Sequence, residues 1–343
     1  MDCVPGVGGH GMVATLKDVA LLAGVSTSAV SRSFTKGASV SPLMREKVEK
    51  AATQLGYRPN FLAASLTTGR TKLIGLVSNN FHNPVFLEVF DLFTRALQER
   101  GLRPLLVNLS KETEPEASVR MLQQYSVDGV IVASSTLPPG FAEAFARAGV
   151  PVVHSFGRKA DAPLVHVVGV DNVACGRMAA RELIARGYKR VAFLGGPEAA
   201  TSTQDRLAGF RGAINRHKEV TLSVSYASAY SFEAGRTEMQ RLLADTPAEA
   251  YFCGDDVLSI GALSALADAG LSSPDDVGII GFNDMEMAGW ANIALTTVHQ
   301  PVAKIIEASV DLVVALVDAP QTLPAVQLFP CHVVARKTLR ERV

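Results

Sequence analysis

The sequence predicts an α/β protein, with a small all-α head at the N-terminus and a larger body built on parallel β-sheet. Two observations support this fold class. Apolar residues between about 13 and 58 recur at helical spacing between good capping residues. From Leu73 onward, short β-rich apolar runs alternate with amphipathic segments. The chain has 343 residues, a length typical of about two or three domains.

The first predicted helix carries one apolar face. Leu16, Val19, Ala20 and Ala23 lie at i, i+3, i+4 and i+7, and Gly24 follows at the position where a left-handed residue ends a helix. In the stretch GVSTSAVSR, Ser26 is the expected N-cap of a second helix beginning at Thr27. The second helix should bury Ala29, Val30 and Phe34. The side chains left to face outward are Thr27, Ser28, Ser31 and Arg32.

A third helix follows in SPLMREKVEKAATQLGY. Ser41 is its expected N-cap, Pro42 occupies the first helical position, and Gly56 ends it. Its expected inner stripe consists of Val48, Ala51, Ala52 and Leu55. Three short helices with a tight turn between the first two indicate a helix-turn-helix, whose second helix enters the major groove of DNA.

The hydroxyl-rich second helix suits DNA. Small hydroxyls allow the backbone to approach closely, and they donate to phosphates or base edges, while Arg32 offers a bidentate fork to guanine. Residues 13–72 contain nine basic and three acidic side chains, although the whole chain is formally neutral. A basic head on an acidic body is typical of a polyanion-binding module. The alternatives are a plain three-helix bundle and an ordinary solvated face.

Three segments carry a specific resemblance: TLKDVALLAGVSTSAVSR, VSPLMREKVEKAATQLGYRPN and LAASLTTGRTKLIGLV. They resemble the LacI/GalR family of bacterial transcription regulators, and the likeness continues to ARKTL near the C-terminus. The resemblance implies a helix-turn-helix domain over 13–59. It places Thr27, Ser28 and Arg32 at base-reading positions. It also implies DNA contacts from Thr15, Leu16, Ser26, Ser31, Ser41, Tyr57 and Asn60.

The resemblance further implies a hinge helix and linker over 60–72. In the family this helix pairs with its dimer mate in the minor groove, and a leucine opens a base step. The matching residue is Leu66, with Ala63 beside it. Thr35 stands near a position where the family usually has Asn. Residues 1–12 are a Gly-rich excess over the family pattern, so we expect a disordered extension with Met12 as a possible true start.

The body contains nine β-rich apolar runs separated by helical stretches, a pattern that predicts parallel strands with crossover helices. The runs are KLIGLVS, RPLLVNL, DGVIVAS, VPVVHSF, VHVVGV, RVAFLGG, AYFCGDD, VGIIGFND and ALTTVHQ. Ligands of such sheets bind beyond the carboxyl ends of the strands. Polar pairs follow five of the runs: Asn79-Asn80, Ser134-Ser135, Asp171-Asn172, Asp255-Asp256 and Asn283-Asp284.

The body resembles the two-lobed type I periplasmic sugar-binding fold. The resemblance implies an effector-binding and dimerisation domain over 73–343, with an N-lobe of about 73–172 plus a C-terminal return and a C-lobe of about 173–301. It implies effector contacts from Phe86, Phe156, Arg206, Tyr230, Asp255 and Asn283. Phe156 stands where related proteins often have a sugar-binding carboxylate, which argues against a galactoside.

Each candidate has a structural alternative. Arg206 is also a candidate ion-pair partner of Asp205 or Asp255, and Asp255 is also a candidate N-cap of the next helix. Tyr230 and Phe86 are equally plausible as core aromatics. His82, His154 and His299 lack metal-ligand spacing, so we expect no metal and no cofactor.

Three function classes remain to be compared. The first is a ligand-responsive repressor that binds a double-stranded operator as a homodimer and responds to a sugar, sugar acid or related carboxylate. The second is a solute-binding receptor with the same body fold. The basic head and the lack of a secretory signal pattern oppose it. The third is an enzyme, which the lack of a spaced catalytic motif disfavours.

Compartment and membrane contact follow from the same features. Four widely spaced cysteines indicate reduced thiols, and the apolar runs are shorter than a membrane helix needs. We therefore expect a cytoplasmic bacterial regulator without membrane contact, associated with the nucleoid when bound.

Overall fold

A computed structural model describes residues 14–35, 37–58, 65, 69–109, 114–138 and 140–342. The chain divides into two compact units, Met1–Thr71 and Lys72–Val343, which we call the head and the body. This division agrees with the change in sequence pattern near Leu73. Among the described residues, none forms a helix long and apolar enough to cross a bilayer.

The head contains α1 (Leu16–Ala23), α2 (Thr27–Ser33) and α3 (Pro42–Leu55). The helices of the body are α4 (Val85–Glu99), α5 (Pro115–Gln124), α6 (Phe141–Arg147), α7 (Asn172–Ile184), α8 (Thr201–Ile214), α9 (Phe232–Leu243), α10 (Asp256–Asp268) and α11 (Val302–Asp318), with a 3₁₀ turn at Glu286–Gly289. Its strands are β1 (Leu73–Ser78), β2 (Arg103–Asn108), β3 (Gly129–Ala133), β4 (Val152–Ser155), β5 (His166–Gly169), β6 (Arg190–Gly195), β7 (Thr221–Tyr226), β8 (Ala250–Cys253), β9 (Gly278–Asn283), β10 (Thr296–His299), β11 (Val326–Leu328) and β12 (His332–Val334).

The three head helices begin and end where the sequence predicts. Ser26 and Ser41 accept hydrogen bonds from the backbone at the starts of α2 and α3, and Gly24 adopts φ 61° at the end of α1. The core of the head consists of Val19, Ala20, Ala23, Val30, Val48, Ala51 and Ala52. Leu55 was expected in the inner stripe, but its side chain is exposed, because it lies in the last turn of α3.

The body contains two six-stranded sheets with similar strand orders. The first is ordered β11-β5-β4-β3-β1-β2 and the second β12-β10-β9-β8-β6-β7. Neighbouring strands are parallel except β10 and β12, which are antiparallel. All nine predicted runs form strands, so the expected parallel α/β architecture is confirmed. We call the layer around the first sheet the N-lobe and the layer around the second the C-lobe.

The chain crosses between the lobes three times. It passes from β5 to α7, then from β10 to α11, which packs on the N-lobe strands, and finally from β11 to β12. The last crossing returns residues 332–342 to the C-lobe, a segment that sequence analysis did not place there. The strands β7, β11 and β12 were likewise not predicted from the sequence pattern.

Two glycines let α7 and α8 touch backbone to backbone. A Cβ added to Gly176 or to Gly209 would lie 1.9 Å from the carbonyl oxygen of Arg206 or Val173 on the opposite helix. Only glycine tolerates this approach. The contact fixes Arg206, on α8, beside the first turn of α7, and this position matters for the cavity described below.

Candidate functional site

The outer face of α2 is polar and exposed. Thr27, Ser28, Ser31 and Arg32 are all exposed, as the sequence predicts, while Val30 on the opposite face is fully buried. The Nε of Arg32 lies 3.4 Å from the carbonyl oxygen of Ser28, which leaves the end of the guanidinium at the surface. This face therefore presents three hydroxyls and one cation together.

Several predicted DNA-contacting hydroxyls also cap helices. Ser26 accepts from the amide of Ala29 at 3.2 Å, and Ser41 accepts from the amide of Met44 at 3.3 Å. A hydroxyl that accepts a hydrogen bond still has a proton to donate, so capping is compatible with a phosphate contact. Thr15 differs, because its hydroxyl donates to Asp18 at 2.7 Å and forms a capping box.

The remaining DNA candidates divide into three groups. Leu16 and Tyr57 are half-buried against the head core, and the Tyr57 ring packs 5.9 Å from that of Phe34. Thr35, which departs from the family pattern, donates its hydroxyl to the carbonyl of Ser31 at 3.0 Å. Asn60, Ala63, Leu66, the expected extension over 1–12 and all of the predicted hinge helix but Ser65 lie outside the described residues.

One cavity of the body lies between the lobes, beyond the carboxyl ends of both sheets. Its volume is about 50 Å³. All six predicted effector-contacting residues line it: Phe86, Phe156, Arg206, Tyr230, Asp255 and Asn283. The structure thus brings together residues that are up to 197 positions apart in sequence, from Phe86 to Asn283. Their role in binding stays a prediction.

Arg206 lies buried in the cavity wall and is held from three sides. Its Nε donates to Oδ1 of Asn172 at 2.9 Å, and its Nη1 donates to the carbonyl oxygen of Gly254. The guanidinium carbon lies 3.5 Å from the centre of the Phe282 ring, a cation–π contact. Neither suggested ion-pair partner, Asp205 or Asp255, forms a salt bridge with Arg206. The cation is therefore positioned by neutral groups.

Asp255 combines the two roles that the sequence suggested. Its Oδ1 accepts from the amide of Val257 at 2.9 Å and so caps α10. Its Oδ2 accepts from the side-chain amides of Asn83 and Asn283, each at 2.9 Å. Burial raises the pKa of this carboxyl, and the hydrogen bonds and Arg206 oppose the increase. Asp255 is thus a buried acceptor at the centre of a polar network.

Three aromatic side chains complete the wall. Tyr230 is buried, and its hydroxyl lies 2.6 Å from Oγ1 of Thr203 and 3.1 Å from Oγ of Ser202. Phe86 is half-buried in the first turn of α4, tilted against Phe90. Phe156 follows β4 with φ 62°, a left-handed conformation that is strained for a side chain of this size. Such strain is typical of functional positions.

Direct contacts join the lobes around the cavity. Asn83 of the N-lobe bonds Asp255 of the C-lobe. Thr201 donates to the carbonyl of Ser135 at 3.1 Å, and the hydroxyls of Ser135 and Ser202 are 3.0 Å apart. Elsewhere between the lobes, Nε of Arg158 lies 3.0 Å from both carboxylate oxygens of Asp205. The lobes are therefore closed on each other.

Sequence reasoning missed several polar lining residues. Asn80, Ser135 and Asn172 were noted only as polar strand-end residues, and Asn83, Ser202 and Gln300 were not singled out. A signal existed for two of them: Ser202 lies one turn before Arg206 on α8, and Gln300 directly follows β10. Asn83 becomes recognisable only when the lobes are assembled.

Two family models match the chain. The model of bacterial regulatory proteins of the lacI family matches residues 15–60, and that of a periplasmic binding protein-like domain matches residues 180–339. The transcriptional regulator CelR of Thermobifida fusca is 32% identical over 335 residues, covering 94% of this chain and 98% of CelR. The ribose operon repressor of Escherichia coli K12 is 32% identical over 312 residues, covering 90% and 94%.

Comparison with solved structures shows similarity to the same class of regulators. The Lac repressor dimer bound to operator and the anti-inducer ONPF matches with a TM-score of 0.85 at 26% identity, over 96% of this chain and 99% of that chain. The complex of the regulator CelR with cellobiose matches with a TM-score of 0.71 at 30% identity, over 95% and 99%.

Proposed function

This chain belongs to the LacI family of bacterial regulatory proteins, and on that basis we propose that it represses catabolic genes in response to a small polar effector. It is a DNA-binding transcription regulator and not an enzyme, like the repressors to which it is similar. The observation that carries the proposal is the closed polar cavity between the lobes, on a chain that also has an exposed hydroxyl-rich recognition helix.

We propose that the head reads one half of a pseudo-palindromic operator. Thr27, Ser28 and Arg32 read bases, and Arg32 supplies the bidentate fork to guanine. Ser26, Ser31 and Ser41 donate to phosphates, together with Tyr57 and Asn60. Thr15 and Leu16 lie at the start of α1, where the hydroxyl and the backbone amide of Thr15 both donate to Asp18, so a contact of Thr15 with a phosphate replaces one of these two bonds. Ala63 and Leu66 act in the minor groove of the kinked site.

We propose that the effector is hydroxylated. The charged groups of the cavity are one cation, Arg206, and one carboxyl, Asp255, among amides and hydroxyls. Asn80, Asn83, Asn172, Asn283 and Gln300 supply paired donors and acceptors of the kind that sugar hydroxyls need. The aromatic walls suit the apolar face of a sugar ring. The cellobiose complex of CelR supports this chemistry.

A dimer is the proposed assembly, because one small head offers little specificity and a two-fold dimer matches a pseudo-palindrome. Leu87 on α4 is 80% exposed, and Trp290, just after the 3₁₀ turn, is 48% exposed. Burial and then the charge of Glu286 raise the pKa of Glu88, so these two segments are neighbours. The exposed side chains of Leu87 and Trp290, one on each lobe, mark the surface that we propose a second copy covers.

The proposed response is a change in lobe arrangement. A ligand shifts this equilibrium only through its different affinities for the two arrangements. An inducer favours the arrangement in which the hinge helices no longer pair, and a corepressor favours the other. The contacts of Asn83 with Asp255 and of Arg158 with Asp205 are those that such a movement changes.

The effector is tested by thermal unfolding of the full chain against panels of neutral sugars, sugar acids and small carboxylates. A ligand at about 100 times its Kd raises the melting temperature by roughly 5–10 °C. A neutral sugar among the active compounds supports the proposed chemistry, and active compounds confined to the carboxylates identify Arg206 as the main anchor. A panel without any shift contradicts the sugar and sugar-acid proposal.

A further inference from the structure

Two of the three interlobe crossings bring cysteines together. Cys175 lies in the first turn of α7, just after the crossing from β5. Cys331 lies in the crossing from β11 to β12, immediately before β12. Cys331 packs against the hydrophobic cluster that contains Cys175, and it lines one surface depression together with Ala174, the neighbour of Cys175 in the chain. The pair therefore joins two segments that are far apart in sequence.

The two thiols differ in access. Cys175 is only 2% exposed, whereas Cys331 is partly exposed and lines a surface depression beside α7. The depression is also lined by Arg177, Arg181 and Arg342, and by Glu182, which pairs with Arg342 at 2.6 Å and leaves a net positive charge. Positive charge and partial exposure are the conditions that make a cysteine reactive, because the thiolate is the nucleophile. Cys331 is thus the outer thiol and Cys175 the inner one.

The pKa shifts of the two thiols agree with Cys331 as the more reactive thiol and Cys175 as the less reactive one. The hydrogen bond with Cys331, followed by burial, raises the pKa of Cys175. The interaction with Cys175 lowers the pKa of Cys331 and the charge of Arg206 adds to the decrease, while burial and the charge of Asp171 oppose it. Cys253 provides the contrast, because burial raises its pKa to about 12. Cys253 is also fully inaccessible to solvent.

We propose that Cys175 and Cys331 are a redox-sensitive thiol pair that a peroxide converts to a disulfide. The Cys331 thiolate attacks one peroxide oxygen, so that an S–O bond forms, the O–O bond breaks, and hydroxide leaves and takes a proton to become water. The Cys175 sulfur then attacks the sulfenic sulfur, the S–O bond breaks, and a second water leaves with the Cys175 proton. Two thiols are oxidised and one peroxide is reduced.

The disulfide ties the β5–α7 crossing to the β11–β12 crossing. These crossings are where the chain passes between the lobes, so the bond restricts their relative movement. One turn before Cys175, Asn172 holds Arg206 at 2.9 Å in the cavity wall. The effect of oxidation on effector response rests on the proposed function, whereas formation of the disulfide does not.

The test uses hydrogen peroxide on the full chain with Cys3→Ser, which removes the N-terminal thiol from exchange. After oxidation, free thiols are alkylated in denaturant, and peptides are identified by mass spectrometry without reduction. We expect one linkage, between the Cys175 and Cys331 peptides, two hydrogens lighter than the separate thiols. Cys331 should react at least about tenfold faster than Cys253.

Three variants separate the roles. Cys253→Ser is the matched control and should oxidise at the rate of the parent. Cys175→Ser should leave Cys331 as a sulfenic acid that dimedone traps, and Cys331→Ser should leave Cys175 reduced. Equal oxidation rates at Cys331 and Cys253, or a Cys331 linkage formed only between chains, would overturn the proposal. Neither readout involves DNA or effector, so the result is independent of the proposed function.

Discussion

Asn83 donates a hydrogen bond of 2.9 Å from its Nδ2 to Oδ2 of Asp255, and the two residues belong to different lobes. The same oxygen accepts from Asn283 of the C-lobe at 2.9 Å. Asp255 is thus shared between a bond within its own lobe and a bond across the cavity. Closure of the lobes depends on one buried acceptor with donors on both sides.

Replacing the cross-lobe donor with a like charge should open the cavity. In Asn83→Asp two carboxylates face each other, and their repulsion at pH 8 should separate the lobes. The radius of gyration in solution scattering should increase, and the increase should disappear near pH 4, where the pair shares protons. Asn80→Asp is the control, since Asn80 lines the same cavity without bonding Asp255. A parent-like radius for Asn83→Asp at pH 8 would refute this closing role.

The guanidinium of Arg206 should matter for effector and not for operator. Arg206→Ala removes a buried cation, which should cost about 2 kcal/mol or more of effector binding, roughly thirtyfold in Kd. Operator affinity without effector should be unchanged. Arg211→Ala, on the same helix with an exposed side chain, is the control. Titration of the protein–operator complex with an active sugar measures the operator affinity and the effector Kd. An undiminished response in Arg206→Ala would rule out the proposed contact between Arg206 and the effector.

Asp256 should make stability depend on pH. Burial is the main cause that raises its pKa from 3.8 to about 7, although Thr297 and the amide of Met285 donate to it. The native state therefore retains a proton that the unfolded state releases, and stability is lost as pH rises from about 4 to about 7. The loss attributable to Asp256 is up to roughly 4 kcal/mol.

Asp256→Asn should remove this part of the slope. Urea unfolding at intervals between pH 4 and 8 gives the free energy for parent and variant, and their difference should level off above about pH 7. Asp245→Asn, at an exposed position, should keep the slope of the parent. Parallel curves for parent and Asp256→Asn would show that Asp256 keeps an ordinary pKa in the fold.

The apolar face around Leu87 and Trp290 should be a dimer interface. Leu87→Arg places a charge at its centre and should give a monomer in sedimentation at micromolar concentration, while the parent is a dimer. Leu323→Arg is a matched control, since Leu323 is 84% exposed and Leu87 80%. If Leu87→Arg is still a dimer, the interface lies elsewhere on the body. A tetrameric parent would contradict the proposed assembly.

Leu66 should contribute to the affinity for the kinked operator but not to the affinity for non-specific DNA. Leu66→Ala should weaken operator binding by about tenfold or more while non-specific DNA binding changes little, because only the specific site needs an opened base step. Arg58→Ala, which removes a charge, should weaken both DNAs similarly. Binding titrations on operator and scrambled duplexes measure this, and equal losses for Leu66→Ala would exclude the wedge.

The strands were largely predictable from the sequence because buried parallel strands are continuous apolar runs. The strand β7 was missed because TLSVSY alternates polar and apolar residues and pairs only with β6, at the edge of its sheet. The strands β11 and β12 have three residues each, too few to show a sequence pattern, and they are defined by their pairing with β5 and β10.

The cavity was predictable in part. Residues at strand ends, such as Asp255 and Asn283, follow from the rule for parallel sheets. Arg206 and Tyr230 needed the family resemblance, since no local pattern distinguishes them from structural residues. Asn83 was missed because its partner lies 172 positions away, in the other lobe. Leu55 was wrongly predicted to be buried. Helical periodicity shows which face of α3 points inward, but it does not show where the neighbouring helices stop covering that face.

The central claim, sequence-specific and effector-controlled DNA binding, is tested most directly by genomic DNA capture. Purified protein is mixed with sheared DNA of the source organism at moderate salt, and the retained fragments are sequenced, with Arg32→Ala in parallel. We predict enrichment of a few short pseudo-palindromes that Arg32→Ala loses and that the active sugar changes. Diffuse retention with steep salt dependence, the same for both proteins and insensitive to sugar, would contradict the account.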